Sequence, residues 1–155
     1  MNTQDEVVAS RIQCAGVPSD KIGVVWSRAE ELLQKGLGQG VNEIGTDDIL
    51  AALVERNMQL WCGFDTDTEE LVVVMVTEII QHPKIKVCHI VANGGSRLSE
   101  WEPFMETIKA WALSLGCQRI TAFARDGWIR RLKDYGYEKV SNVISCELSA
   151  PEGSE

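Results

Sequence analysis

The stretch KVCHIVANGGSRLSEWEPFMETIKAWALSLGCQRITAFARDGWIRRLKDYGY, residues 86–137, decides the fold of this chain. With Ile85 in front of it, its first part up to Ala92 is almost continuously apolar and β-branched, which predicts a strand covered on both faces in the middle of a sheet. Asn93-Gly94-Gly95 breaks that run. Ser99 followed by Glu102 reads as a capping box, and Pro103 is tolerated only near a helix start. Behind them Trp101, Phe104, Met105, Ile108, Trp111, Ala112 and Leu115 keep helical spacing until Gly116. Arg119 to Ala124 predicts a strand, which a helical crossover places parallel to the one before it. Trp128, Ile129, Leu132 and Tyr135 mark a short helix closed by Gly136.

Upstream, Ile22, Val25, Trp26, Ala29, Leu32 and Leu33 predict one apolar face of a helix over 21–35, capped by Ser19 or Asp20 and ended by the glycines at 36, 38 and 40. Thr46 or Asp47 caps a second helix finishing near Asn57, with Ile49, Leu50, Leu53 and Val54 inward. Leu60 to Phe64 and Leu71 to Ile80, joined by the polar stretch 65–70, predict a hairpin, and His82-Pro83-Lys84 turns into the next strand. Residues 1–18 read as an arm or a short first strand. Lys139 to Leu148 predicts a last strand from alternation at Val140, Val143 or Ile144, and Cys146, and residues 149–155 a flexible tail. The expectation is an α/β (α+β) chain: one domain over 1–155, with a mixed sheet of antiparallel strands and one parallel pair, flanked by helices.

Composition bounds the function. The net charge of −8 is uneven, with 5 basic against 14 acidic residues in 1–80 and 10 against 9 in 81–155. Nucleic-acid binding is not expected without a continuous basic face. No apolar run approaches the ~20 residues needed to cross a bilayer, and Asp5 and Glu6 stand where a secretory signal would be positive. A soluble, cytoplasmic protein follows. The five cysteines at 14, 62, 88, 117 and 146 contain no C-x-x-C, so Cys62, Cys88 and Cys146 are expected as buried thiols, and no metal is expected with His82 and His89.

Two helices, three antiparallel strands, helix, parallel strand, helix and strand resemble the layout of the GNAT-type N-acyltransferases. Leu60-Trp61, Val76-Thr77-Glu78-Ile79, Gly94-Gly95, Trp101, Gly116-Cys117, Arg125-Asp126-Gly127-Trp128 and Gly136-Tyr137 carry the resemblance, which looks closest to small GNAT-like proteins of tailed bacteriophages. It implies acetyl-CoA as cofactor, its pantetheine arm against the exposed backbone of Val91 and Ala92. Its phosphates would lie on the turn Asn93, Gly94, Gly95, Ser96 and Arg97 at a helix N-terminus, with Arg125 near the adenosine phosphate. That turn departs from the family's Q/R-x-x-G-x-G/A pattern. Leu132 stands where many members carry a proton-donating tyrosine.

Glu78 is the candidate general base, expected to face the gap between the central strands; the same carboxylate can instead pair with Lys84 or Lys86. His89 can serve as a base or as a satisfied core histidine. Gly94-Gly95 suits either a phosphate or a tight exit from the strand. Trp26, Trp101 and Trp111 belong to apolar helix faces, whereas Trp61 and Trp128, near element ends, suit a pocket or interface. Two functions are consistent with this reading. One is acetyl transfer from acetyl-CoA to an amine, a cationic acceptor lying between the second helix and the strand ends. The other is an inactive GNAT-like fold kept as a virion-associated structural or protein-binding module, its partner a phage structural protein.

Overall fold

The computed structural model describes residues 12–37, 43–95, 101–124 and 126–149, without the side chains of 101–103, 126 and 127. Two compact units result, Met1–Phe123 and Ala124–Glu155.

In the first unit the order is β1 (Ile12–Val17), a 3-10 turn (Ser19–Lys21), α1 (Ile22–Leu37), α2 (Thr46–Val54), β2 (Gln59–Asp65), β3 (Leu71–Gln81), β4 (Lys86–Gly95), α3 (Trp101–Ser114) and β5 (Arg119–Ala122). The strands form one sheet in sequence order. β1 to β4 pair antiparallel, and β4 and β5 pair parallel. This is the mixed sheet that the sequence predicts.

Alternation along the strands assigns each helix its face. Leu60 and Cys62 of β2, Val74 and Val76 of β3 and Ala92 of β4 pack in one core with Ile22, Ala29, Leu32 and Leu33 of α1 and Ile49 and Leu53 of α2. The intervening residues face α3: the rings of Trp61 and Trp111 meet edge to face with centroids 5.0 Å apart, and a methyl at Gly63 would touch Phe104. β3 is buried on both faces from Leu71 to Thr77, which its β-branched run requires. Burying such side chains contributes about 1.5–3 kcal/mol each.

Helix ends follow local chemistry. The Asp48 carboxylate accepts the Gly45 N–H at 2.9 Å, so Gly45 is the N-cap of α2 in place of the expected Thr46 or Asp47. Thr46 Oγ1 instead donates to Glu30 of α1 at 3.0 Å. α2 stops at Val54, short of the expected Asn57, because Arg56 turns left-handed (φ 66°) and the Asn57 N–H closes back on the Ala52 carbonyl at 2.8 Å. Neither Ser19 nor Asp20 caps α1; both lie in the 3-10 turn that feeds it. Gly116, at φ 87°, ends α3 as the sequence predicts. The capping residue Ser99 lies outside the described residues.

Of the two readings of residues 1–18, the short first strand is the observed one: β1 pairs with β2 from Ile12↔Asp65 to Val17↔Leu60. Other expectations are corrected. β4 runs to Gly95, since β3 continues opposite it as far as Val73↔Gly95. Trp61 is core rather than a pocket wall: it is 6% exposed, and its Nε1 donates to Thr77 Oγ1 at 3.0 Å.

The second unit holds α4 (Asp126–Leu132), a 3-10 turn (Lys133–Tyr135) and Gly136 at φ 92°. Its residues 137–149 form no strand, contrary to the expectation for 139–148. The alternation is present in sequence, but a strand needs a hydrogen-bonded neighbour. Among the described residues of this unit there is no second strand to supply one. Val140, Val143, Ile144 and Leu148 are exposed, and Cys146 is exposed rather than buried.

Candidate functional site

The central feature is a fork between β4 and β5. They pair from Val87↔Arg119 to Ile90↔Ala122, and there β5 ends. β4 continues for five residues, Val91 to Gly95, held on its other side by β3. Among the described residues, no strand covers the second backbone edge of that segment. The cause is local. Register shifts between Val76↔Ala92 and Thr77↔Ile90, leaving Val91 as an extra residue in β4. Such a bulge bends and twists its strand, here at the row where β5 stops.

α1 lies directly on the free part of β4. A Cβ on Gly94 would overlap the Leu32 carbonyl, and one on Gly36 would overlap the Asn93 carbonyl. The two backbones therefore touch where both chains lack side chains. Gly95 has φ 136°, and a Cβ there would strike the Val72 carbonyl. Close approach to α1 requires a glycine at 94, and the positive φ favours one at 95. Ser96, Arg97 and Arg125 lie outside the described residues.

One row from the fork, three polar side chains line up across three strands. Glu78 of β3 is opposite His89 of β4, and His89 is opposite Thr121 of β5. Alternation from Val76 puts this row on the α1–α2 face. His89 Nδ1 and Thr121 Oγ1 are 2.9 Å apart. Phe123, just past β5 and 75% exposed, meets the imidazole edge to face at a centroid distance of 5.1 Å. Burial pushes the His89 pKa below the ordinary imidazole value, while the neighbouring Glu78 carboxylate pulls it back up. Burial thus favours the neutral form of the imidazole.

Glu78 lies on β3, one strand removed from the fork, and its partner in the register on β4 is His89. Lys86 Nζ reaches the Leu115 carbonyl at 2.9 Å. Thr121, an isolated threonine in a short strand, carries no signal in the sequence. Only the register joins it to His89.

Other candidates fall elsewhere. A recess of about 170 Å³ does lie between α2 and the strand ends, bordered by Val17, Leu53 and Gln59, but its charged lining residue is Arg56, which offers a cationic amine nothing. Burial raises the Cys88 thiol to about 12, with Cys117 adding to the effect and a Thr77 hydrogen bond opposing it, so it stays protonated and unreactive at neutral pH. Arg130 and Arg131 occupy the last turn of α4, in the second unit. No group of three or more metal-ligating side chains occurs among the described residues, and none of their helices is long and apolar enough to cross a membrane.

No protein-family model and no curated protein matches the sequence. Solved structures do match the fold. An aminoglycoside acetyltransferase from an uncultured soil sample, solved with sisomicin, aligns over 96% of this chain and 99% of its own with a TM-score of 0.66 at 6% identity. An acetyltransferase from Clostridium acetobutylicum, solved with acetyl-CoA, aligns over 88% and 96% with a TM-score of 0.62 at 12% identity. Glucosamine-6-phosphate N-acetyltransferase from Arabidopsis thaliana aligns over 89% and 99% with a TM-score of 0.63 at 11% identity. The chain shares its fold with these acetyltransferase structures.

Proposed function

We propose that the protein transfers an acetyl group from acetyl-CoA to an amine, using the fork between β4 and β5 as the thioester site. The single observation that carries this reading is the pairing that stops at Ile90↔Ala122 while β4 runs on to Gly95. A strand edge of that kind offers main-chain N–H and C=O groups to an extended amide-bearing arm, and pantetheine is such an arm. Val91 and Ala92 would hold the arm along that exposed edge, and the turn that opens with Asn93, Gly94 and Gly95 would lead toward its phosphates. The bound cofactor would supply an acetyl thioester open to attack by nitrogen.

The chain's own contribution is proton management beside the fork. His89, whose neutral form burial favours, takes the proton that the amine loses on acylation. Glu78, across the strand pair, stabilises the imidazolium that forms and draws a cationic acceptor toward the row. The thiol leaving group would take its proton from the imidazolium or from water.

Titration calorimetry with acetyl-CoA, followed by an assay of CoA release with a panel of amines, tests this. Saturable binding with amine-dependent release is expected, reduced roughly 100-fold or more in His89→Gln. Lack of heat at millimolar acetyl-CoA would leave the fold as a scaffold for another protein.

A further inference from the structure

We propose that Thr121 is a positioning residue for His89: its hydroxyl oxygen accepts the Nδ1–H, which fixes the imidazole tautomer whose Nε2 lone pair is free to take the amine proton. The inference rests on the proposed acetyl transfer for its chemistry, but its geometry stands alone.

An imidazole is a directed base only if one nitrogen is tied down. The 2.9 Å separation of His89 Nδ1 and Thr121 Oγ1 ties one of them. Parallel pairing of β4 with β5 sets the two residues side by side at His89↔Thr121, the second-to-last pair before the strands part. Phe123, packed edge to face at 5.1 Å, limits rotation of the ring. Among the described residues, no hydrogen bond reaches Nε2.

A hydroxyl can donate or accept, and the direction decides which nitrogen is the base. If Thr121 donated, Nδ1 would carry the lone pair already engaged, and Nε2 would carry a proton. With Thr121 accepting, one arrangement serves both protonation states, because the imidazolium keeps the Nδ1–H on Oγ1 and gains its second proton at Nε2. No regrouping of hydrogen bonds is needed during transfer. Glu78 faces the ring from β3, and Arg119 stands two residues before Thr121 on the same face of β5. The carboxylate favours the imidazolium over the neutral ring; the hydrogen bond that engages one ring nitrogen is the one to Thr121.

The step balances simply. The amine nitrogen bonds to the acetyl carbon as the carbon–sulfur bond breaks, the amine proton moves to Nε2, and the sulfur departs with the bonding pair.

The deciding experiment is nitrogen-15 NMR of the His89 ring in the full chain without ligand, in wild type, Thr121→Val and Thr121→Ser. In wild type at neutral pH the expected spectrum shows Nδ1 protonated and Nε2 not. Thr121→Val should move the population to the opposite tautomer, and Thr121→Ser should restore the wild-type pattern. In the acetyl-transfer assay, Thr121→Val should lower kcat roughly fivefold, the equivalent of one hydrogen bond, with KM little changed. Wild-type protein with its proton on Nε2, or a Thr121→Val variant with an unmoved tautomer, would overturn the proposal. Because the spectrum is read without acetyl-CoA, its outcome is separate from whether the protein acetylates anything.

Discussion

Replacing Gly94 by alanine isolates what the glycine pair is for. An added Cβ would sit 2.6 Å from the Leu32 carbonyl carbon and 3.2 Å from the Leu33 nitrogen, where ordinary contact begins at 3.4 Å. Both atoms belong to the α1 backbone, so no rotamer change relieves the overlap. The helix has to retreat by about 1 Å, and a gap of that size forfeits up to about half of each dispersion contact along the crossing. Overpacking costs about 1–3 kcal/mol in general, and the rigid partner here points to the upper end. At ~2–4 °C per kcal/mol for a chain of this size, Tm should fall by about 6–12 °C. Gly23 provides the control: it lies in α1 with nothing within 4 Å of an added Cβ, so Gly23→Ala should raise stability by up to about 1 kcal/mol. Urea and thermal unfolding of the two variants beside wild type measure both effects. A Gly94→Ala protein within about 0.5 kcal/mol of wild type would refute the backbone-to-backbone crossing.

Three further outcomes follow from the same geometry. Thr77, fully buried, accepts from Trp61 Nε1 and donates to Gln59 Oε1 at 2.9 Å; Thr77→Val should cost about 2 kcal/mol in urea unfolding by stranding the indole N–H, and adding Trp61→Phe should cost less than the sum of the two changes. Burial raises the Cys62 and Cys88 thiols from 9.0 to about 12, so the folded chain keeps protons that the unfolded chain loses; stability should be full below pH 9 and decline as pH rises toward 12, and Cys146 should react with iodoacetamide in native protein while Cys62 and Cys88 react only after unfolding. The lowered His89 pKa, with Glu78 opposing the shift, places the acidic limb of the rate profile below the ordinary 6.5, so activity should persist as pH falls through 6.5 and disappear only beneath it. The same depression has the unfolded chain binding a proton first, so His89's contribution to stability should fall as pH drops below 6.5. A limb above 6.5 would contradict burial as the dominant influence.

Much of this fold is legible because its core elements are long and strongly patterned. The β-branched run of β3 and the helical spacing from Phe104 to Ala112 admit one reading each. β1 is only half legible: of its six residues Ile12 alone is buried, and Cys14 and Val17 are partly covered, too few apolar contacts to mark a strand before its partner is known. The last strand fails for a complementary reason. Val140, Val143 or Ile144, and Cys146 alternate, yet alternation describes one face of a strand and says nothing of whether an edge is available to pair with. The depth of Trp61 is not legible, because sequence position near an element end says little about burial and the hydroxyl that satisfies its N–H lies sixteen residues away.

The site shows the same limit. Glu78, His89 and Thr121 become neighbours only through register, and that register depends on one extra residue at Val91. A one-residue slip would turn the row to the other face. Glycines at 36 and 94 mark a close crossing that neither segment reveals alone, although the absence of side chains at both positions is the trace that was there to be read.

The measurement that bears most directly on the account is amide hydrogen exchange along β4, with and without acetyl-CoA, read residue by residue. If the strands part after Ile90, amides from Val91 to Gly95 that point away from β3 should exchange faster than those from Val87 to Ile90 in the free protein, and saturating acetyl-CoA should slow them selectively. Uniform protection from Val87 to Gly95 without ligand, or exchange at Val91 to Gly95 that acetyl-CoA leaves untouched, would contradict the thioester site.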